Sequence, residues 1–151
     1  MLSIARESPR QDDLVRLIRR SDALMQSLYP AESNHLVDID SLAQPHVHFF
    51  VAREEGRALG CGAFVMGRHR QAEMKRVFVD ATARGKGVAR AIMDALERAA
   101  ASEGVTLMQL ETGIKQPEAI ALYRKFGYVE RGPFGSYQPD PLSLFMENRL
   151  A

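Results

Sequence analysis

The strongest chemical signal in this chain is a short cationic run rich in glycine, Arg84-Gly85-Lys86-Gly87-Val88-Ala89-Arg90. It follows the apolar stretch Val77-Phe78-Val79 and leads into a helical pattern. Gly85 and Gly87 have no Cβ, so the backbone there can turn sharply and come close to a ligand. The first turn of a helix carries N–H groups without intrahelical acceptors and a partial positive charge, which together suit an anion. Arg84, Lys86 and Arg90 add three cationic side chains. The guest such a turn suits is a pyrophosphate; taken alone, the run also reads as an ordinary strand–helix loop with solvated charges. A P-loop needs four residues between its glycines and then Gly-Lys-Ser/Thr, whereas only Lys86 separates Gly85 from Gly87. A dinucleotide fingerprint needs a third Gly or Ala, and Arg90 holds that position.

Other reactive side chains make weaker cases. Cys61 has no accompanying His–Asp pattern and reads as a small core residue. His46-x-His48 puts two imidazoles on one face of a strand, with His35 or His69 as outlying partners. No cysteine or carboxylate cluster stands at zinc-like spacing beside them, so no metal is expected.

The elements that must position these residues follow from periodicity. Asp12 and Asp13 precede Leu14, Leu17, Ile18, Leu24, Met25 and Leu28 at helical spacing, with the carboxylates at the positive end of the dipole, and Pro30 ends the helix. A second short helix is expected over 33–42, with Leu36, Ile39 and Leu42 on one side. Residues 47–52 and 59–66 read as a hairpin; Gly60, Gly62 and Gly67 mark a bulge or a close backbone approach. Residues 71–80 form a third strand, with Glu73 and Lys75 on the face of Val77 and Val79. The next helix carries Val88, Ile92, Ala95, Leu96 and Ala99 and stops at Gly104. A strand over 105–110 follows. Pro117 suits the first turn of the last helix, and Gly127 its left-handed C-cap. Strands over 128–131 and 142–148 close the chain. The strand–helix–strand unit over 71–110 predicts a parallel pair, and the hairpins are antiparallel. The fold class is therefore mixed α+β: a mostly antiparallel sheet with one parallel pair, flanked by about four helices.

The chain has 151 residues, enough for one domain. Lys plus Arg number 20 against 19 Asp plus Glu, giving a net charge of +1. A nucleic-acid binder usually shows a basic excess, so a bound polyanion should be small and met by a local cluster. One cysteine suits a reducing compartment. No long apolar run opens the chain, so the expectation is a cytoplasmic protein without a membrane or nucleic-acid partner.

Arg84-x-x-Gly87-x-Ala89 resembles the Arg/Gln-x-x-Gly-x-Gly/Ala pyrophosphate loop of the GNAT N-acetyltransferase superfamily. Downstream, the segment from Gln116-Pro117-Glu118-Ala119 through Leu122-Tyr123 to Phe126-Gly127-Tyr128 resembles the family's Asn-x-x-Ala-x-x-Leu-Tyr-x-x-x-Gly-Phe/Tyr segment. Gln116 stands where the family usually has Asn. The likeness covers most of the chain, and the text from Leu110-Glu111-Thr112-Gly113 through Asp140-Pro141-Leu142-Ser143 also resembles a branch of small bacterial members with poorly defined substrates.

The resemblance implies a single domain over 1–151 with acetyl-CoA as cosubstrate, lying between two parallel strands that splay apart, here 71–80 and 105–110. The backbone of Phe78 and Val79 would pair with the pantetheine arm. The phosphates would sit on Arg84, Gly85, Lys86, Gly87, Val88, Ala89 and Arg90, and Gln116 and Tyr123 would reach the cofactor. Tyr123 holds the place of the family's thiolate-protonating tyrosine, and Glu73 that of a base used by some members. Glu111 is placed to orient the amine or to act as alternative base. The competing readings are core packing for Tyr123, an ion pair with Lys75 or Arg57 for Glu73, and a turn cap for Glu111. Tyr29, Arg76, Phe134 and Tyr137 are expected to line the acceptor pocket. The implied reaction is direct attack by a primary amine of a small molecule on the thioester. A protein lysine or N-terminal amine is the alternative acceptor, and a non-catalytic acyl-CoA-binding regulatory module the alternative of another class. A homodimer is common in the family.

Overall fold

In a computed structural model, which describes residues 1–33 and 38–150, seven strands form one sheet in the order β1-β2-β3-β4-β5-β7-β6. The chain runs β1 (Leu2–Arg6), α1 (Asp12–Leu28), α2 (Ile39–Leu42), β2 (Val47–Glu54), β3 (Arg57–Met66), β4 (Gln71–Val79), α3 (Val88–Ser102), β5 (Leu107–Gly113), α4 (Pro117–Lys125), β6 (Val129–Arg131) and β7 (Ser143–Arg149). Only β4 and β5 are parallel. The expected mixed, mostly antiparallel sheet with four helices is the one found.

Local chemistry accounts for most of these elements. In α1 the buried residues Leu14, Leu17, Ile18 and Ser21 fall on one face, and Asp12 and Asp13 occupy the first turn. The β2–β3 turn is tight, with β2 running to Glu54 and β3 starting at Arg57. Glu55 and Gly56 both have positive φ (50° and 80°), the signature of a two-residue hairpin loop whose twist matches its strands. Gly62 allows a close approach: a Cβ there would lie 2.8 Å from Ile92 Cγ2 and 3.0 Å from Leu96 Cδ1. A side chain at this point of β3 would push α3 off the sheet.

Three readings of the sequence need correction. Residues 2–6 form an edge strand on β2, with Leu2 and Ile4 leaning on the core; five residues are too few for their alternation to stand out. The expected strand over 105–110 is displaced to Leu107–Gly113, which puts Glu111 inside a strand rather than at a turn. Glu73 and Lys75 do not share a face with Val77 and Val79. At Arg76 the backbone takes φ 59°, and β3 places Gly62 alone between its partners for Lys75 and Phe78. This bulge inserts one residue and reverses the alternation. Met74, Val77 and Val79 therefore all face α3, while Phe78 joins the opposite core. The second expected helix is present as a 3₁₀ turn at Ala31–Ser33 and as α2, which Asp38 caps by accepting the Ser41 N–H at 2.8 Å; Leu36 and His35 lie outside the described residues.

Helices α3 and α4 cover one side of the sheet, over Phe64, Met74, Met108, Leu110 and Met146. Helices α1 and α2 cover the other, over Val47, Phe49, Val51, Cys61 and Ala63. Beyond β4 that second side is roofed by the 132–142 segment, whose Phe134 and Tyr137 pack edge-on against Phe145 of β7. No described helix is long and apolar enough to cross a membrane.

An ion cluster ties α1 to the hairpin. Arg53 donates to both carboxylate oxygens of Glu7 at 2.9 Å and to Asp13 at 2.7 Å. The guanidinium holds both carboxyls below their ordinary values of 4.5 and 3.8. Acids with lowered folded values contribute stability that is complete above about 4.5 and is lost as pH falls through their folded values. Arg53→Met should therefore cost about 1–2 kcal/mol at pH 7, and the gap in melting temperature to the parent should narrow below pH 4.5. A gap independent of pH would show that Arg53 acts through packing alone.

Candidate active site

Strands β4 and β5 run together only from the Gln71–Leu107 pair to the Met74–Leu110 pair and then part. Pairing on the β5 side of β4 stops at Met74, just before the Arg76 bulge. The side chain of Arg76 is 5% exposed and is paired with Asp22 of α1, with Ser21 Oγ accepting at 3.5 Å. Helix α1 thus holds the bulge from one side while Gly62 accommodates it from the other.

The fork opens into two cavities. The larger, about 550 Å³, runs from Val77, Phe78 and Val79 past Arg84, Gly85, Gly87, Val88, Ala89 and Arg90 to Lys115, Gln116, Ala119, Leu122 and Tyr123. Gly85 and Gly87 have φ of 80° and 75°, and Gly87 is the N-cap of α3. The helix ladder opens with Ala91 N–H donating to Gly87 at 3.1 Å, so the N–H groups before it are first-turn donors at the mouth of the cavity. Lys86 lies in the same loop, exposed, and does not line the cavity.

The smaller cavity, about 120 Å³, adjoins the first and shares Val77, Phe78, Gln116 and Tyr123 with it. Its wall includes Tyr29, Glu73, Lys75, Arg76, Glu111 and Tyr137. Tyr29 closes it from α1: its hydroxyl accepts the Lys115 N–H at 3.0 Å and donates to Gln116 Oε1 at 3.5 Å. Gly113 makes room for that ring, since a Cβ there would lie 1.8 Å from the hydroxyl. Glu73 belongs to a closed triangle. Tyr137 donates to Glu73 Oε2 at 2.6 Å, Lys75 Nζ lies 3.1 Å from the same oxygen, and Lys75 donates to Tyr137 at 2.9 Å. Glu111 accepts from Ser143 Oγ at 2.8 Å. Phe134 is off this cavity; it stacks edge-on with Tyr137 at 5.2 Å and borders a separate groove.

Tyr123 sits where the cavities meet. It is 8% exposed, and burial, reinforced by the charge of Glu111, pushes its hydroxyl up to about 12. Burial and Glu73 likewise raise the hydroxyl of Tyr137, and burial raises that of Tyr29. All three are neutral donors at ordinary pH. Cys61 is buried, and its thiol is pushed up to about 12 for that reason; it faces the α1 core, away from both cavities.

Sequence reasoning paired Glu73 with Lys75 but missed that Tyr137 closes the triangle, and it missed Ser143 and Lys115. Serine and lysine carry no spacing signal of their own, so only the fold could select these two.

The chain belongs to the acetyltransferase (GNAT) family, whose model matches residues 14–128. It is an acetyltransferase in fold and in family. It is 50% identical over 150 residues to an "IAA acetyltransferase" of Azospirillum brasilense, covering 99% of this chain and 98% of that one. The crystal structure of a Klebsiella pneumoniae chain assigned as an acyl-CoA N-acyltransferase superposes with a TM-score of 0.85 at 36% identity, over 100% of this chain and 99% of the other. The PaiA N-acetyltransferase of Thermoplasma acidophilum, solved with coenzyme A, shares the fold at a TM-score of 0.76 and 15% identity, over 99% of each chain.

Proposed function

We propose that the protein transfers an acetyl group from acetyl-CoA to a primary amine of a small molecule by direct attack. The observation that carries this reading is the pair of adjoining cavities meeting at Tyr123. The larger, about 550 Å³ with a cationic, glycine-rich mouth, suits a nucleotide thioester, as the coenzyme A complex of a fold relative supports. The smaller holds about 120 Å³, near the ~150 Å³ of a cavity that takes one benzene. Space of that size, roofed by Tyr29 and Tyr137, favours the end of a small acceptor over a folded protein surface.

In this reading the phosphates lie on Arg84, Arg90 and the start of α3, and the backbone of Phe78 and Val79, freed by the fork, pairs with the pantetheine arm. Acetyl-CoA supplies the activated acyl group. The amine enters beside Glu111, whose charge adds to burial in raising the Tyr123 hydroxyl. Glu111 orients the amine and takes its proton; Glu73, bound by Lys75 and Tyr137, holds the roof. Tyr123 donates to the departing sulfur. The single buried cysteine is compatible with a reducing, cytoplasmic setting.

The test is thiol release from acetyl-CoA against a panel of amines, with Glu111→Gln and Glu73→Gln compared on the best acceptor. Glu111→Gln should lower kcat by about 10²-fold at neutral pH and recover at high pH, where free amine is abundant. Glu73→Gln should raise KM more than it lowers kcat. The opposite pattern would return the base role to Glu73, and CoA binding without thiol release on any amine would leave only a binding module.

A further inference from the structure

The end of α1 and the turn between β5 and α4 hold each other by reciprocal contacts. Lys115 Nζ donates to the Leu28 carbonyl at 2.9 Å and lies 5.9 Å over the Tyr29 ring. In return the Tyr29 hydroxyl accepts the Lys115 backbone N–H at 3.0 Å and donates to Gln116 Oε1 at 3.5 Å. The turn closes on itself through the Gln116 N–H, which donates to the Gly113 carbonyl at 3.2 Å, and Gln116 is then the N-cap of α4. The hydroxyl reaches this turn because residue 113 is glycine, where a Cβ would lie 1.8 Å from it.

These contacts lie on the boundary between the two cavities of the fork. Tyr29 lines the smaller, Lys115 lines the larger, and Gln116 lines both, as Tyr123 does. Burial raises the Tyr29 hydroxyl, so it keeps its proton and remains a donor at ordinary pH. A side-chain amide has an accepting and a donating end. With Oε1 toward Tyr29, the two hydrogens of Nε2 are left for another partner, and a carbonyl is the group they suit. The pantetheine arm of CoA carries amide carbonyls.

We propose that Tyr29 is a positioning residue for acetyl-CoA: from the wall of the acceptor cavity it orients the Gln116 amide, which donates to a carbonyl of the pantetheine arm. The inference rests on the acetyl-transfer reading above. Gln116 touches the cofactor, and Tyr29 acts through Gln116. Removing the Tyr29 hydroxyl therefore weakens a ligand that lies in the neighbouring cavity. A tyrosine that served the acceptor alone would change the KM of the amine and leave CoA affinity as it was.

The experiment is calorimetry with CoA on wild type, Tyr29→Phe, Gln116→Met and the double variant. Phe keeps the ring and removes the hydroxyl; Met keeps the length of Gln116 and removes its amide. CoA affinity should fall about three- to tenfold in Tyr29→Phe and about tenfold in Gln116→Met, the worth of one hydrogen bond. The double variant should bind about as weakly as Gln116→Met alone, because the hydroxyl then has no amide to orient. Wild-type CoA affinity in Tyr29→Phe, or losses that simply add in the double variant, overturns the inference. Gly113→Ala displaces the hydroxyl instead of removing it, and so keeps the test should Tyr29→Phe fail to fold. It should weaken CoA in the wild-type background and not in Gln116→Met; equal losses in both overturn the inference. In steady state, Tyr29→Phe should raise the KM of acetyl-CoA more than that of the amine, and the reverse returns Tyr29 to the acceptor wall. Thiol release by wild type without coupling between the two residues overturns the inference and leaves the transferase reading standing. Coupling on CoA without thiol release on any amine overturns the transferase reading and leaves Tyr29 as a positioning residue of a CoA site.

Discussion

Tyr123→Phe should lower turnover by about 10²- to 10³-fold, the range for removing one donor aimed at developing negative charge, with a much smaller change in CoA affinity. The hydroxyl stands at the junction of the two cavities, and its burial together with Glu111 holds it at about 12. An alkyl thiol, near 8.5 in water, is a stronger acid than a phenol pushed up to about 12, so complete proton transfer from the phenol to sulfur is uphill. In the proposed reaction the residue would therefore act as a hydrogen-bond donor to the sulfur as the C–S bond breaks. Phe keeps the ring and its 6.0 Å contact with Tyr128, so the fold survives. Single-turnover kinetics and calorimetry with CoA separate the two effects. The wild-type pH profile should also lack a falling limb from Tyr123 anywhere near neutrality, because the group stays protonated until pH approaches 12. Wild-type turnover in the Phe variant would make Tyr123 a packing residue.

Gly87→Val should weaken CoA binding by about 10²-fold. Gly87 has φ 75°, a left-handed conformation that costs an ordinary residue about 1–2 kcal/mol and a β-branched one more. No protein atom lies within 4 Å of the position a Cβ would take, so crowding by the protein is not the cause. The variant folds by rearranging the loop, and the N–H groups that open α3 then no longer converge at the mouth of the larger cavity. Gly87→Asn separates backbone from bulk, since Asn tolerates this region better, and should keep more of the affinity than Val. Calorimetry with CoA at rising salt checks both, because affinity that depends on Arg84 and Arg90 falls as charges are screened. A folded Val variant with undiminished affinity would remove the loop from the cofactor site.

Both of these residues were legible before any fold was known, and the reason is local. Gly87 sits in a turn whose backbone demands are set by its immediate neighbours, and the spacing from Arg84 to Ala89 is a property of that turn. Tyr123 lies on α4, where helical periodicity alone fixes its place relative to Gln116 and Gly127. Helix α1 and the β2–β3 hairpin were legible for the same reason, with only the ends moving by a few residues. The reading failed where a side chain's direction depends on a strand two elements away. Strict alternation put Glu73 and Lys75 beside Val77, but the bulge at Arg76 reverses the alternation, and that bulge exists because Gly62 of β3 and Asp22 of α1 leave room and charge for it.

The sequence by itself determined the family, the order of strands and helices after β1, the glycine-rich start of α3 and the tyrosine of α4, because each is encoded within about a dozen consecutive residues. Tertiary structure alone decided the surroundings of the two carboxylates. Glu73 and Glu111 are equivalent as letters, yet the roof segment brings Tyr137 across 64 residues to Glu73, while β5 carries Glu111 toward Tyr123. It also decided that Tyr29 lies on Gly113. Hydrogen bonds and burial of this kind are made between segments distant in the chain, and no periodicity or spacing records them.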